Sequence, residues 1–165
     1  MALYKVYNAP MPTTASLLAV ATGTGILTLL QVKNSKVCRI LEWGISFNGA
    51  AVAAGIEVEL LDTALIFATV TASVDADIMQ VDGGTPILAS TSGLTYTTTG
   101  TGYTASGEGT IVATTVHDAK FLTPTGNYHF DVRPRPINCI PGNSYRIRVK
   151  AAAGVSAICY MTLEF

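Results

Sequence analysis

Two histidines, His117 and His129, are the side chains of this 165-residue sequence that titrate readily near neutral pH, and His129 stands two residues before Asp131 in "NYHFDVRP" (127–134). On an extended strand that spacing puts both on one face. A metal-bearing β-barrel site needs two such histidines close together, a carboxylate and a third histidine, and this pairing falls short of that set. Glu57 and Glu59 also share a strand face, about 7 Å apart. Glycoside hydrolysis needs two carboxylates facing each other across a cleft, so this pair reads as a solvated outer row. The chain has no G-x-S-x-G elbow, and Cys139, between Asn138 and a proline-containing turn, has no base in sight. The glycines at 23–25 and 100–102 lack the strand–turn–helix setting of a phosphate loop. No catalytic, cofactor-binding or metal residue is assigned, and the sequence reads as a non-enzyme.

The most pointed charged feature is the row Arg146, Arg148 and Lys150 in "SYRIRVKA" (144–151). Arg133 and Arg135 lie nearby in sequence, so five of the chain's ten Lys and Arg fall within 133–150. Glu57 and Glu59 are their natural counterpart, across strands of one sheet or between subunits. The three basic residues are therefore candidate contact residues.

The elements that carry these rows are strands. Alternation runs through 37–47, where Val37, Arg39, Leu41, Trp43, Ile45 and Phe47 share a face that is apolar except for Arg39. It recurs in "GIEVELLD" (55–62), in 127–134, in 144–151, and in "VSAICYMTLEF" (155–165). Weaker strand candidates are 3–7, 24–33, 64–70, 77–81 and 109–116. "PTGN" (124–127) and "IPGNS" (140–144) are turns placed just before strands. The expected fold is a single all-β domain over 1–165, an antiparallel β-sandwich of eight to ten strands with jelly-roll topology.

Two stretches stand outside this pattern. Residues 8–16, "NAPMPTTAS", carry Pro10 and Pro12, which cannot donate to a ladder, and read as an extended arm. Residues 82–107 are rich in Thr, Ser and Gly, with Tyr96 and Tyr103 among them. Their β-branched and aromatic content suggests an ordered excursion packed on a neighbouring subunit. The expected contact regions are the arm, the excursion around 95–103 and the Ala/Gly run 49–55.

Composition explains why contacts are expected at all. Hydrophobic residues make up 49% of the chain and charged residues only 13%, against about 25% charged in ordinary soluble domains. The net charge is −1 and the mean hydropathy +0.41, so like-charge repulsion does little to keep copies apart. That balance gives no general attraction to nucleic acid or to an anionic membrane. The longest apolar run is far shorter than the about 20 residues that span a bilayer. "SLLAVATG" (16–23) follows two prolines and lacks the basic start of a signal peptide. Cys38, Cys139 and Cys159 form neither a clustered motif nor an even set, and read as buried thiols in a reducing compartment.

The combination of "VCRILEWGISFNG" (37–49), the acidic strand "EVELLDT" (57–63), a Thr/Gly-rich middle and "PGNSYRIRVKAA" (141–152) leading to a last strand resembles small virion structural proteins of tailed bacteriophages. It is similar in particular to their jelly-roll-like decoration or minor capsid proteins. The resemblance implies a protein that performs no reaction and binds the outside of the major capsid protein's shell as a homo-oligomer, often a trimer. It also implies assembly in the host cytoplasm and a place on the virion surface. The alternative is a phage fibre or tail component, or a lectin-like glycan-binding module, with Trp43, Tyr96, Tyr103 or His129 as stacking groups.

Overall fold

The computed structural model describes residues 1–11, 18–50, 54–83, 87–111 and 114–165. In chain order its strands are β1 (Leu3–Tyr7), β2 (Val20–Ala21), β3 (Gly25–Lys33), β4 (Cys38–Asn48), β5 (Ile56–Asp62), β6 (Thr69–Ala72) and β7 (Ile78–Gln80). A one-turn helix α1 (Ala89–Ser92) follows, then β8 (Gly102–Gly107), β9 (Thr115–Leu122), β10 (Asn127–Asp131), β11 (Ile137–Cys139), β12 (Ser144–Ala151) and β13 (Ser156–Glu164).

All pairings are antiparallel and fall into two sheets. The first runs β10-β4-β13-β1-β7, with β11 beside β10 on the edge of β4 and β2 beside β1 on β13. The second runs β6-β8-β3-β12-β5-β9. One hydrophobic core joins them face to face. Val58, Leu60, Ile147 and Val149 come from the second sheet and Ile40, Trp43, Ile45 and Met161 from the first, each almost wholly buried. Each such side chain contributes about 1.5–3 kcal/mol by leaving water. The expected antiparallel sandwich is thus what the chain forms. It has thirteen strands among the described residues, of which β2, β7 and β11 are only two or three residues long. β7 falls within the expected strand 77–81; β2 and β11 are too short to display an alternation, and β8 stands in the stretch expected as an excursion, so the count exceeds the expected eight to ten.

Two of three departures from the expected strands are bulges, and the third is a turn. Over 37–47 the chain buries Cys38 and Ile40 before residue 41, but Trp43, Ile45 and Phe47 after it, leaving Val37 67% exposed. The ladder with β13 shifts between Thr162 and Leu163, so Leu41 is the extra residue of a bulge. A one-residue insertion exchanges the faces of everything beyond it. Unbroken alternation would place Arg39 on the apolar face; with the bulge it points outward, to Glu164 at 3.4 Å. β9 carries a second bulge at His117, which breaks the alternation of "TVHDAKFL" and hides the strand from pattern reading. The candidate 109–116 reaches only its first two residues. Over 64–70 the expected strand begins only at Thr69; before it the chain turns through Ala64 at φ 50°.

The Thr/Gly-rich stretch is built into the sandwich. β8, its last six residues, lies between β3 and β6 in the second sheet. Gly102 permits that insertion, since a Cβ there would lie 2.2 Å from the Thr71 carbonyl oxygen. Gly102→Ala should therefore force β6 and β8 apart and cost about 1–3 kcal/mol of folding free energy. Urea denaturation compared with wild type measures it, and an unchanged midpoint would show that the strands have room.

Candidate contact surfaces

The outer face of the second sheet is the face that carries the basic row, and burial falls steadily along β12. Arg146 is completely buried, Arg148 is half-buried and Lys150 is exposed. Arg146 owes its burial to two segments folded over the sheet, residues 63–68 before β6 and residues 107–110 after β8. Its guanidinium donates to the carbonyl oxygens of Ile66 and, at 2.9 Å, Glu108, and through Nε to the Ser144 hydroxyl at 3.3 Å. The Glu108 carboxylate lies 3.6 Å away. Ser144 in turn donates to Gln31 Oε1, while the Gln31 amide donates to the carbonyls of Ala68 and Gly100. Burial pulls the Arg146 pKa down to about 10, partly offset by Glu108. A buried charge is tolerated only when paired and hydrogen-bonded, and this one is.

The acidic counterpart is met inside the sheet. Arg148 stands opposite Glu59 in the β12–β5 ladder, with Nε and Nη2 donating to one carboxylate oxygen at 2.9 and 2.8 Å. Lys150 stands opposite Glu57 in the same register. Of the two placements expected for these rows, the one across strands of a single sheet is the one built here. Arg146 is spent within its own chain and presents nothing to a neighbour.

The other sequence candidates are scattered. Pro12 lies outside the described residues, as do 51–53 of the Ala/Gly run. Pro10 stands two residues after Asn8, which is fully buried; its amide donates to Ala157 O at 3.1 Å, and its Oδ1 accepts from Cys159 N at 2.9 Å. The start of the arm thereby continues the ladder between β1 and β2. Tyr96 packs on the core and donates its hydroxyl to Asp75 at 3.0 Å; burial and that carboxylate push its pKa far up. Tyr103, on β8, is half-buried. Trp43 is wholly buried against Tyr128, with ring centroids 5.3 Å apart, so it cannot stack on a ligand.

The pairing of His129 and Asp131 resolves into two separate contacts on the outer face of the first sheet. His129 Nε2 lies 3.2 Å from Glu42, and Asp131 is held by Arg133. Burial raises the Glu42 pKa, but hydrogen bonds from Thr162, His129 and Lys5 outweigh it and hold the carboxyl below its usual value. Among the described residues no group of three His, Cys, Asp or Glu is placed to hold a metal ion. All three cysteines are free and buried.

The surface that sequence reading missed lies where β9 and β10 edge the two sheets on one side of the sandwich. Among the described residues β9 pairs only with β5 and has no strand on its other side. It exposes Val116 (52%) and Phe121 (80%), and β10 exposes Phe130 (38%). Between them a cleft of about 390 Å³ is lined by His117, Phe130, Val132, Pro134, Arg135 and Ile137. Asp118 and Lys120 point inward and close this side over Tyr128, whose hydroxyl donates to Asp118 at 2.8 Å. The signal that could have found β9 is its apolar ends, Val116 and Phe121–Leu122, once a bulge is allowed between them.

No protein-family profile, no characterised protein and no solved structure matches this chain.

Two outcomes follow. Arg146→Met should cost about 3 kcal/mol, because it strips donors from buried carbonyls, while Arg148→Ala should cost no more than about 1 kcal/mol. Urea unfolding of both variants measures the contrast. His117 supplies the second: burial lowers its pKa, against a smaller opposite pull from Asp62. The unfolded chain thus takes up that proton first, so the stabilisation from neutral His117 is complete above about pH 6.5 and is lost as pH falls through the folded value. Thermal melts between pH 7 and about pH 5 should fall more steeply for wild type than for His117→Gln.

Proposed function

We propose that this chain is a non-enzymatic structural subunit, whose role is to be joined along its open side to other copies or to a larger shell. The observation that carries this reading is the β9 edge: eight residues long, free of proline and glycine, and bearing a phenylalanine that is 80% exposed. A long edge whose outer face is apolar is a template for pairing with another chain, even one that carries a bulge and two inward charges. The scarcity of charge adds to it. Lys5, Arg39, Arg133, Arg146 and Arg148, five of the ten Lys and Arg, are already in ion pairs within the chain. Little charge is left over to keep copies apart.

The kind of assembly comes from the resemblance to small virion structural proteins of tailed phages. It supports a place on the outer surface of a capsid, with the major capsid protein as partner, a homo-oligomeric decoration or minor capsid protein as the role, and assembly in the host cytoplasm. On this reading the protein stiffens the shell through many modest contacts, each burying apolar surface at about 25 cal/mol per Å² before association costs are met.

The test has two parts. Light scattering of the purified protein should give a mass above the 17.3 kDa of one chain. Added to capsids stripped of their outer proteins, it should rebind at fixed stoichiometry and raise the temperature at which they come apart. A monomer at every concentration that leaves such shells unchanged would end this reading; glycan-array binding by that monomer would favour the lectin-like alternative.

A further inference from the structure

The free edge of β9 is complementary to itself. The other strands at sheet edges are short: β6 has four residues, β7 and β11 three each, and β10 five, with Pro134 and Pro136 breaking the chain between β10 and β11. Short strands and prolines are two of the ways edges are kept from pairing; bulges and inward-pointing charges are others, and β9 carries both at His117 and at Asp118 and Lys120. It is neither short nor broken by proline over its eight residues. Its side chains follow a definite order. The ladder with β5 places Leu61 opposite Val116 and Leu60 opposite Asp118, with His117 as the extra residue. Val116, Ala119 and Phe121 therefore share the outer face of the sheet with Leu61, Glu59 and Glu57, while Asp118 and Lys120 share the inner one.

We infer that two copies of this chain join through β9, antiparallel about a two-fold axis at Ala119, so that two six-stranded sheets become one continuous sheet. With Ala119 opposite its own copy, Asp118 of each chain stands opposite Lys120 of the other, twice, on the inner face. Beyond them the bulge takes up His117, and Phe121 of each chain meets Val116 of the other on the outer face. The two most exposed apolar side chains of the strand thus cover each other. The small, exposed Ala119 lets the backbones close at the axis. Shifting the register by two residues, to centre on Lys120 or Asp118 alone, would set like charges face to face, which selects against it. An isologous contact is what a two-fold axis requires, and a strand whose charges read minus, small, plus satisfies it.

This inference rests on the reading of the chain as an assembly subunit and adds to it a surface, a partner and a symmetry. The symmetry differs from the trimer that the resemblance implies. The test is Ala119→Cys, oxidised gently. The three native thiols are buried, so the new one reacts alone, and directly opposed strand residues bring their Cβ atoms to within about 5.5 Å. The expected result is a disulfide-linked dimer, whereas Thr115→Cys, away from the axis, gives monomer. Sedimentation adds a second readout. Lys120→Asp alone should weaken self-association by about tenfold or more, and Asp118→Lys with Lys120→Asp should restore it, each with a native circular dichroism spectrum. If the chain associates but Ala119→Cys does not cross-link and Lys120→Asp changes nothing, the β9 pairing is wrong while the assembly reading stands. If the wild-type chain never associates, both fall.

Discussion

The buried guanidinium of Arg146 is the constraint around which one end of the sandwich is arranged. With no solvent contact, it needs hydrogen-bond acceptors from its own chain, and residues 63–68 and 107–110 must fold over the second sheet to supply them. Those segments flank β6 and β8, so the requirement also fixes where the Thr/Gly-rich stretch enters the sheet. The outer face is closed over Arg146 and Gln31, half-closed at Arg148 and open at Lys150. The open end, with Glu57 and Phe121 beside Lys150, is left to β9. One buried charge thereby decides which part of the sheet the chain covers itself and which part it leaves uncovered.

Charge is scarce here and is used mostly inward. The Arg148–Glu59 pair stitches β12 to β5, Lys5 and Thr162 hold Glu42 on the first sheet, and Arg39 meets Glu164 beside the bulge at Leu41. Pairs of this kind add little each when exposed, and their main effect is to fix register. Exposed apolar side chains are scattered over the surface, and Val116, Phe121 and Phe130 are those on the two edge strands β9 and β10. A fold in which other edges are short but one is long, with charges that pair across a two-fold axis, suits occupation of that edge by another copy.

The sequence made the class of fold and most strand positions readable because alternation survives wherever strands are regular: 144–151 and 155–165 match β12 and β13 almost residue for residue. It failed at bulges, where one added residue reverses the phase, as at Leu41, or erases the pattern, as at His117. It also misjudged Arg146. A lone strand cannot reveal that a distant loop will cover one of its outward residues, so a buried keystone looked like a surface charge. The candidate contact edge went unread for the same reason as β9 itself. Tyr96 and Asn8, singled out for contacts outside the chain, turn inward because acceptors and donors separated from them in sequence, Asp75 and Ala157–Cys159, lie within reach in the fold.

The central claim is that the second sheet is finished by its own chain at the Arg146 end and by another chain at β9. Native-state hydrogen exchange, followed residue by residue in dilute and in concentrated protein, tests it most directly. The account predicts that amides of β9 around Ala119 become slower to exchange as concentration rises, while Ala68, tied to Gln31 beneath the Arg146 lid, is equally slow throughout. β9 amides that exchange equally fast at every concentration, or a fast-exchanging Ala68, would contradict it.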